Sequence, residues 1–228
     1  MKTISIIPAR SGSKGIPSKN ITKLNGHPLI YYSINSSIQS KINRTIVSTD
    51  DEKIAHYAER YGAEVIIRPK LLATDKAQIE PTMVHVLNNL DKNEGYVPDT
   101  VVLLQNTSPL RNSTHIDQAL SLFKNKKFDS VFSGFISHYL LWKREKQRAT
   151  PINYNPMKRQ NRQNMTDYVI ENGAIYITKN TSFKKTKCRI SGNIGIYLMP
   201  EEMSVQIDLY SDIIIAEQFL KYMKKYET

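Results

Sequence analysis

Cysteine is almost absent from this sequence, since Cys188 is the single one among 228 residues. One cysteine excludes an internal disulfide and a cysteine-rich zinc site, and it is typical of proteins in a reducing compartment. Long apolar runs are also absent: no segment approaches the roughly 18 consecutive apolar residues of a transmembrane helix. The apolar stretch 4–7 is too short for the core of a signal peptide, and Pro8 and Arg10 follow it. We therefore expect a cytoplasmic protein that neither spans a membrane nor is secreted.

Acidic side chains are scarce relative to basic ones: 21 Asp and Glu stand against 32 Lys and Arg, a formal net charge of +11. Such an excess suits a nucleic acid, a membrane surface or a polyanionic small molecule equally well. The basic clusters at 143–148, 158–162 and 184–189 are modest, and none is as dense as a nucleic-acid-binding tail. The 13 tyrosines do not interleave with them as in an RNA-binding signature. We expect no nucleic-acid and no membrane partner, while a solvated basic face and an anion-binding role stay equally open.

The composition is that of a globular protein, with 40% hydrophobic and 23% charged residues. Apolar runs and helical periodicity predict alternating strands and helices. The predicted strands cover residues 3–8, 44–48, 64–67, 100–105, 129–135, 173–177 and 194–199. The predicted helices cover residues 29–38, 79–90, 116–123 and 213–223, and another begins at a cap on Thr49 or Asp50 and stops at Gly62.

This alternation predicts a three-layer α/β fold with a mostly parallel sheet and helices on both faces. The alternation breaks at about 136–166, where Trp142 and many basic and amide side chains show no sustained period. We interpret this segment as an inserted arm within a single domain over residues 1–228.

The strongest motif is IPARSGSKGIPSKN at residues 7–20, where a buried strand runs directly into a glycine loop. Glycines let backbone N–H groups approach an anion, and cations such as Arg10, Lys14 and Lys19 neutralise its charge. The loop therefore has the chemistry of a polyphosphate cradle, although it is neither a Walker A motif nor GxGxxG. The alternative is a basic surface loop, which is less favoured after the first strand of an α/β sheet, where such folds bind ligands.

This motif closely resembles the opening signature of the sialic acid cytidylyltransferases, or CMP-acylneuraminate synthetases. VLLQNTSPLR at 102–111 is similar to the LLQPTSPLR-like segment of that family. Residues 151–177 resemble its basic RRQ segment followed by ENGAIYI, and SVQIDLYSD at 204–212 resembles its acidic DID-type motif. The four motifs occur in order along nearly the whole chain.

The resemblance implies a Rossmann-like nucleotidyltransferase fold and a reaction in which CTP and an acidic nine-carbon sugar give the CMP-sugar and pyrophosphate. It also implies Mg²⁺ as the cofactor and a homodimer formed through the arm. A cytidylyltransferase for Kdo, legionaminic or pseudaminic acid is the nearest alternative. A basic nucleic-acid-binding module and an inactive homologue are the alternatives of other classes.

The resemblance also implies roles for particular residues. Those placed at the nucleotide are Arg10, Lys14, Lys19, Asn20 and Arg68. Those placed at the sugar are Gln105, Arg162 and Gln163, and those given a catalytic role are Arg10, Lys14 and Arg162. Asp208 is the implied ligand of the metal.

Without the resemblance, the same residues have ordinary structural interpretations. Arg68 reads as a surface arginine at a strand end, and Gln105 as a residue that caps a helix or bonds a loop. The KRQNR run at 158–162 reads as a solvated face. We interpret Asn172 and Gly173 as a turn.

The sequence departs from the family pattern at two positions. Gln206 stands where the acidic motif usually has its first aspartate, and an amide is a much poorer Mg²⁺ ligand than a carboxylate. We favour Asp208 with the triphosphate and water as the metal shell over a contribution from Asp212, which we expect to cap the last helix. Asn161 stands where animal-type members have an arginine proposed as catalytic, so metal-bound water is the alternative proton acceptor.

Overall fold

The computed structural model describes residues 1–164 and 167–226, apart from the side chains of Arg162 and residues 224–226. In this part of the chain the strands are β1 (Thr3–Pro8), β2 (Lys23–Leu24), β3 (His27–Pro28), β4 (Arg44–Thr49), β5 (Glu64–Ile67), β6 (Thr100–Leu103), β7 (Ser130–Ser137), β8 (Trp142–Glu145), β9 (Arg148–Pro151), β10 (Tyr168–Lys179) and β11 (Ile194–Leu198). The helices are α1 (Leu29–Ile38), α2 (Glu52–Arg60), α3 (Ile79–Glu94), α4 (Ser113–Asn125), α5 (Asn180–Thr186) and α6 (Tyr210–Tyr226).

Seven of the described strands form one sheet in the order β11-β7-β10-β6-β1-β4-β5. Every neighbouring pair is parallel except the two pairs of β10, which runs antiparallel to β6 and to β7. The predicted, mostly parallel sheet is therefore confirmed. The antiparallel strand has a simple cause: the chain returns from β7 to β10 through the arm, without the helical crossover that parallel neighbours require.

Helices cover both faces of this sheet, as the three-layer prediction requires. Apolar side chains of α1, α2, α4 and α6 form one buried cluster with the sheet, and those of α3 and α5 form the other. In β1, Ile4 and Ile6 face the second cluster while Ile7 joins the first. Burial on both faces explains why this strand reads as a nearly continuous apolar run.

The structure corrects three local predictions. The N-cap of α2 is Asp51, whose side chain accepts a hydrogen bond from the Ile54 amide, and not Thr49 or Asp50. The arm is not wholly irregular, since β8 and β9 pair as an antiparallel hairpin. The predicted turn at Asn172 and Gly173 lies inside β10, where the register with β7 shifts between Glu171 and Tyr176.

None of the described helices has both the length and the apolar character to cross a bilayer.

Candidate nucleotide-binding cleft

A cleft of about 340 Å³ opens beyond the carboxyl ends of β1, β5 and β6. Open α/β sheets bind ligands at this edge. The residues that line it come from five segments: Pro8, Arg10, Gly12, Ser13, Lys19, Asn20, Arg68, Leu72, Thr74, Ala77, Gln78, Ile79, Thr82, Gln105, Asn106, Thr107, Gln206 and Asp208. Six residues singled out from the sequence are therefore brought together here: Arg10, Lys19, Asn20, Arg68, Gln105 and Asp208.

The glycine loop after β1 is held at both of its ends. The Ser11 amide and hydroxyl both donate to the Asp50 carboxylate, at 3.1 and 2.6 Å. At Gly15 a Cβ atom would collide with the backbone carbonyl of Asp208, so only glycine allows this approach. The loop is thus fixed between β4 on one side and the acidic motif on the other.

Two cations of the loop share one acidic partner. Arg10 Nη1 lies 2.6 Å from Asp75 Oδ1, and Lys14 Nζ lies 3.3 Å from Asp75 Oδ2. The hydrogen bond from Arg10, followed by that from Lys14, holds the pKa of the Asp75 carboxyl below its ordinary value. Lys14 is not among the lining residues and its side chain is 80% exposed, so it lies at the mouth of the cleft. Both cations can exchange this exposed carboxylate for an incoming phosphate.

Lys19 and Asn20 connect the loop to the rest of the cleft. Lys19 Nζ donates to the Ile207 carbonyl at 2.8 Å and to Asp208 Oδ1 at 2.9 Å. Asn20 Nδ2 donates to the Arg10 carbonyl at 2.8 Å, and its Oδ1 accepts from Asn106 Nδ2 at 3.1 Å. These two side chains therefore fix the geometry of the loop as well as lining the cavity.

Arg68 is buried at 5% exposure, which excludes its interpretation as a surface arginine. Its Nη1 donates to Thr82 Oγ1 at 3.2 Å, and its Nη2 lies 3.8 Å from Asp50 Oδ1. Its Nε has no partner among the described residues. Burial, only partly offset by Asp50, lowers the pKa of the guanidinium, so a ligand with oxygen acceptors would satisfy this group.

Gln105 and Gln206 face each other across Gly173. A Cβ atom on Gly173 would lie 2.5 Å from Gln105 Oε1 and 3.2 Å from Gln206 Nε2, and the glycine has φ +70°. Asn172, predicted to be in a turn, is instead 1% exposed and bonded to Ser133 and Ser204. The bulge in β10 therefore places Gly173, which has no side chain, against the two glutamines that line the cleft.

Arg111 is fully buried behind this wall. Its guanidinium donates to the carbonyls of Gln105 and Ala174 at 3.2 and 2.9 Å and to the hydroxyls of Ser33 and Ser36 at 2.7 and 3.4 Å. Burial without a carboxylate partner lowers the pKa of Arg111 to about 9. The side chain fixes the backbone on which the Gln105 side chain stands.

The acidic motif presents one carboxylate, that of Asp208, to the cleft. Asp208 lines the cleft with its side chain 66% exposed beside Lys19. Asp212 is not the N-cap that the sequence predicted, because α6 begins at Tyr210 and Asp212 lies in its first turn. Its Oδ2 accepts hydrogen bonds from the amides of Asp208 and Leu209, just before the helix. Among the residues described, no group of three His, Cys, Asp or Glu side chains could hold a metal. The donor set fits a Mg²⁺ ion whose remaining ligands are phosphate oxygens and water.

The remaining candidates lie in the arm. Gln163 is exposed in a short 3-10 turn, Arg162–Asn164, and is not among the residues that line the cleft. The side chain of Arg162 lies outside the described residues. The roles implied for both stay predictions.

The sequence alone assigned no role in the site to two acidic residues, Asp50 and Asp75. Asp50 directly follows β4 at the ligand-binding edge, and that position alone could have indicated it. Asp75 lies in the connection between β5 and α3, where no periodic pattern marks it.

The fold and the cleft define an α/β nucleotide-binding protein with a cationic loop after its first strand. The sequence model of the cytidylyltransferase family matches residues 4–228. The chain belongs to this family, which confirms the family resemblance seen in the motifs.

Within this family, the chain is similar to curated proteins named as N-acylneuraminate cytidylyltransferases. The N-acylneuraminate cytidylyltransferase of Escherichia coli O18:K1:H7 is 36% identical in an alignment of 225 residues that covers 94% of this chain and 51% of that protein. The enzyme of the same name from Streptococcus agalactiae serotype V is 33% identical over 97% of this chain and 54% of that protein. N-acylneuraminate cytidylyltransferase A of Danio rerio is 34% identical over 94% of this chain and 50% of that protein. This chain therefore spans about half the length of the curated relatives that it matches.

Solved structures support the fold alone. A CMP:2-keto-3-deoxy-manno-octonic acid synthetase complexed with CTP superposes with a TM-score of 0.73 at 16% identity, covering 98% of this chain and 100% of that one. A 4-diphosphocytidyl-2C-methyl-D-erythritol synthase from Anaerococcus prevotii gives 0.66 at 12% identity, covering 96% and 98%.

Proposed function

We propose that this chain transfers CMP from CTP to the anomeric hydroxyl of a nonulosonic, sialic-type acid and releases pyrophosphate. The observation that carries the proposal is the cationic end of the cleft, where Arg10, Lys19 and Arg68 converge. A nucleoside triphosphate requires such a concentration of positive charge. The class of sugar is inferred from the curated relatives, which are named as N-acylneuraminate cytidylyltransferases.

In this reaction the anomeric 2-hydroxyl oxygen attacks the α-phosphorus of CTP in line. The bond from that phosphorus to the pyrophosphate oxygen breaks, and pyrophosphate leaves with the bonding electron pair. The hydroxyl proton passes to water, and the attacking oxygen becomes the ester oxygen of the CMP-sugar. Because charge shifts onto the leaving pyrophosphate, cations that are already in place stabilise the transition state.

The residues of the loop divide this work. Arg10 and Lys14 move from Asp75 to the triphosphate, where they neutralise the α-phosphate and the leaving group. Lys19 and Asn20 keep the loop in the shape that receives the phosphates. Arg68, with unsatisfied donor capacity, binds the nucleotide at the Thr82 side of the cleft.

Gln105 hydrogen-bonds the sugar, and Arg162 and Gln163 approach its carboxylate from the arm. Asp208 would hold a Mg²⁺ ion together with the phosphates, and the bound ion would supply further neutralisation of the leaving group.

We further propose that the arm forms a homodimer contact. Trp142 of β8 is 46% exposed and packs edge-on against Tyr154, with ring centroids 5.8 Å apart. Ile152 and Met157 of the arm are also exposed. An exposed tryptophan is a common interface anchor.

The test is pyrophosphate release from CTP and Mg²⁺ with a panel of acceptors: N-acetylneuraminate, Kdo, legionaminate and pseudaminate. We expect N-acetylneuraminate to give the highest kcat/KM. Lys14→Ala is expected to lower kcat about 10²-fold, because one donor to the transition-state charge is lost. Lys126→Ala, which removes an exposed lysine after α4, is the matched control. No release with any acceptor, or equal rates in the two variants, would contradict the proposal.

A further inference from the structure

Neutral amides line the cleft together with its cations. Gln105, Asn106 and Gln206 are among the lining residues, and all three carry primary amides. The side chains of Gln105 and Gln206 are half-buried, and neither amide makes a hydrogen bond within the part of the chain that the structure describes. Asn106 is 4% exposed, and its Oδ1 has no partner among the same residues. Buried polar groups without partners indicate a ligand or water that satisfies them.

The backbone that carries Gln206 is firmly held. The Ile207 amide donates to the Thr107 carbonyl at 2.7 Å, and the Ile207 side chain is fully buried. Its neighbours Gln206 and Asp208 both line the cleft. The position of Gln206 is therefore set by the fold.

Gln206 and Asp208 nevertheless lie in different surroundings. Asp208 pairs with Lys19 at 2.9 Å, at the phosphate-binding loop. Gln206 Nε2 instead approaches Gly173, the same residue that Gln105 Oε1 approaches. The two glutamine side chains therefore end around one point, next to Gly173.

This placement is unfavourable for a metal ligand and favourable for a sugar contact. A neutral amide is a weak partner for Mg²⁺, which prefers carboxylates and phosphates. Each amide offers two N–H donors and a carbonyl acceptor, which match the donor and acceptor character of sugar hydroxyls.

We propose that Gln206 contacts the acceptor sugar and not a metal ion, and that it forms with Gln105 a pair of neutral amides that hydrogen-bonds the hydroxyl groups of the acceptor. This inference rests on the proposed function, which it extends by a specificity-determining residue.

The test compares Gln206→Ala with Gln218→Ala, which removes an exposed glutamine of α6 away from the cleft. Calorimetry measures the Kd of N-acetylneuraminate and of Kdo in the presence of CDP, which cannot release pyrophosphate. Steady-state assays measure the KM for CTP and the half-saturating Mg²⁺ concentration. Thermal melts verify that both variants fold.

We expect Gln206→Ala to raise the Kd of the bound sugar about tenfold, as for the loss of one hydrogen bond in a partly buried site. The KM for CTP and the Mg²⁺ requirement are expected to stay within about twofold of wild type, as are all values for Gln218→Ala. An unchanged sugar Kd, or a tenfold higher Mg²⁺ requirement, would overturn the inference alone. If wild-type protein binds sugar but shows no turnover, the proposed function is wrong. The ratio of the sugar Kd of Gln206→Ala to that of wild type then still tests the inference. Wild-type protein that binds neither sugar would overturn both.

Discussion

Gly173→Ala is the most informative single substitution in the cleft. The glycine lies in the bulge of β10 with φ +70°, where an L side chain is strained. Its added Cβ would also lie 2.5 Å from Gln105 Oε1 and 3.2 Å from Gln206 Nε2. The substitution therefore has two separable effects, one on the backbone and one on the two amides.

The backbone effect lowers the stability of the folded protein. A left-handed conformation costs a non-glycine residue about 1–2 kcal/mol. For a chain of this length that cost lowers the melting temperature by about 2–8 °C. The contacts are made by the far ends of flexible side chains, so the amides move aside and the backbone stays in place. We expect an acceptor KM at least tenfold higher, because both amides leave their positions.

Gly95→Ala is the matched control. Gly95 caps α3 with φ +62°, and a Cβ there would meet nothing within 4 Å. In differential scanning fluorimetry the melting temperature should fall by a similar amount in both variants. In the pyrophosphate assay only Gly173→Ala should raise the KM for the acceptor. Equal acceptor KM values for the two variants would refute the placement of the amides around Gly173.

Four further substitutions test the charged residues of the cleft and the arm. Asp75→Asn should lower the KM for CTP about threefold in the pyrophosphate assay, because Arg10 no longer leaves an exposed ion pair; a higher KM would contradict this. Asp208→Asn should nearly abolish activity in a Mg²⁺ titration, whereas Asp212→Asn should cost about 1 kcal/mol of stability in a denaturant melt; the reverse result would place the metal at Asp212. Trp142→Glu should give a monomer in light scattering, and an unchanged dimer would contradict the arm contact.

The sheet was largely predictable because its strands are short apolar runs bounded by polar loops. The helix predicted at residues 29–38 and the strand at 64–67 have the observed bounds of α1 and β5. The short α5 was missed, since seven residues show too little periodicity, and the direction of β10 depends on how the arm returns.

The cleft was predictable only where its residues stand directly on the sheet edge. Arg10 and Gln105 follow β1 and β6, so the strand pattern indicated their position. The pairing of Arg10 with Asp75 joins residues 65 positions apart through a loop without a pattern. The approach of Gln206 to Gly173 likewise depends on a bulge that no local signal in the sequence marks.

Arg111 holds in place the backbone that carries Gln105 and the neighbouring residue Ala174 of β10. With its pKa near 9, the guanidinium is charged at pH 7, although no carboxylate pairs with it in the described residues. Such burial is costly unless every donor is used. The planar guanidinium donates to two hydroxyls of α1, to one carbonyl in the loop after β6 and to one carbonyl of β10. The single ammonium of a lysine could not span these four groups. Because one of those carbonyls belongs to Gln105 and another to Ala174, beside Gly173, the buried charge fixes the distance between the backbone of Gln105, the proposed sugar-binding amide, and the bulge in β10.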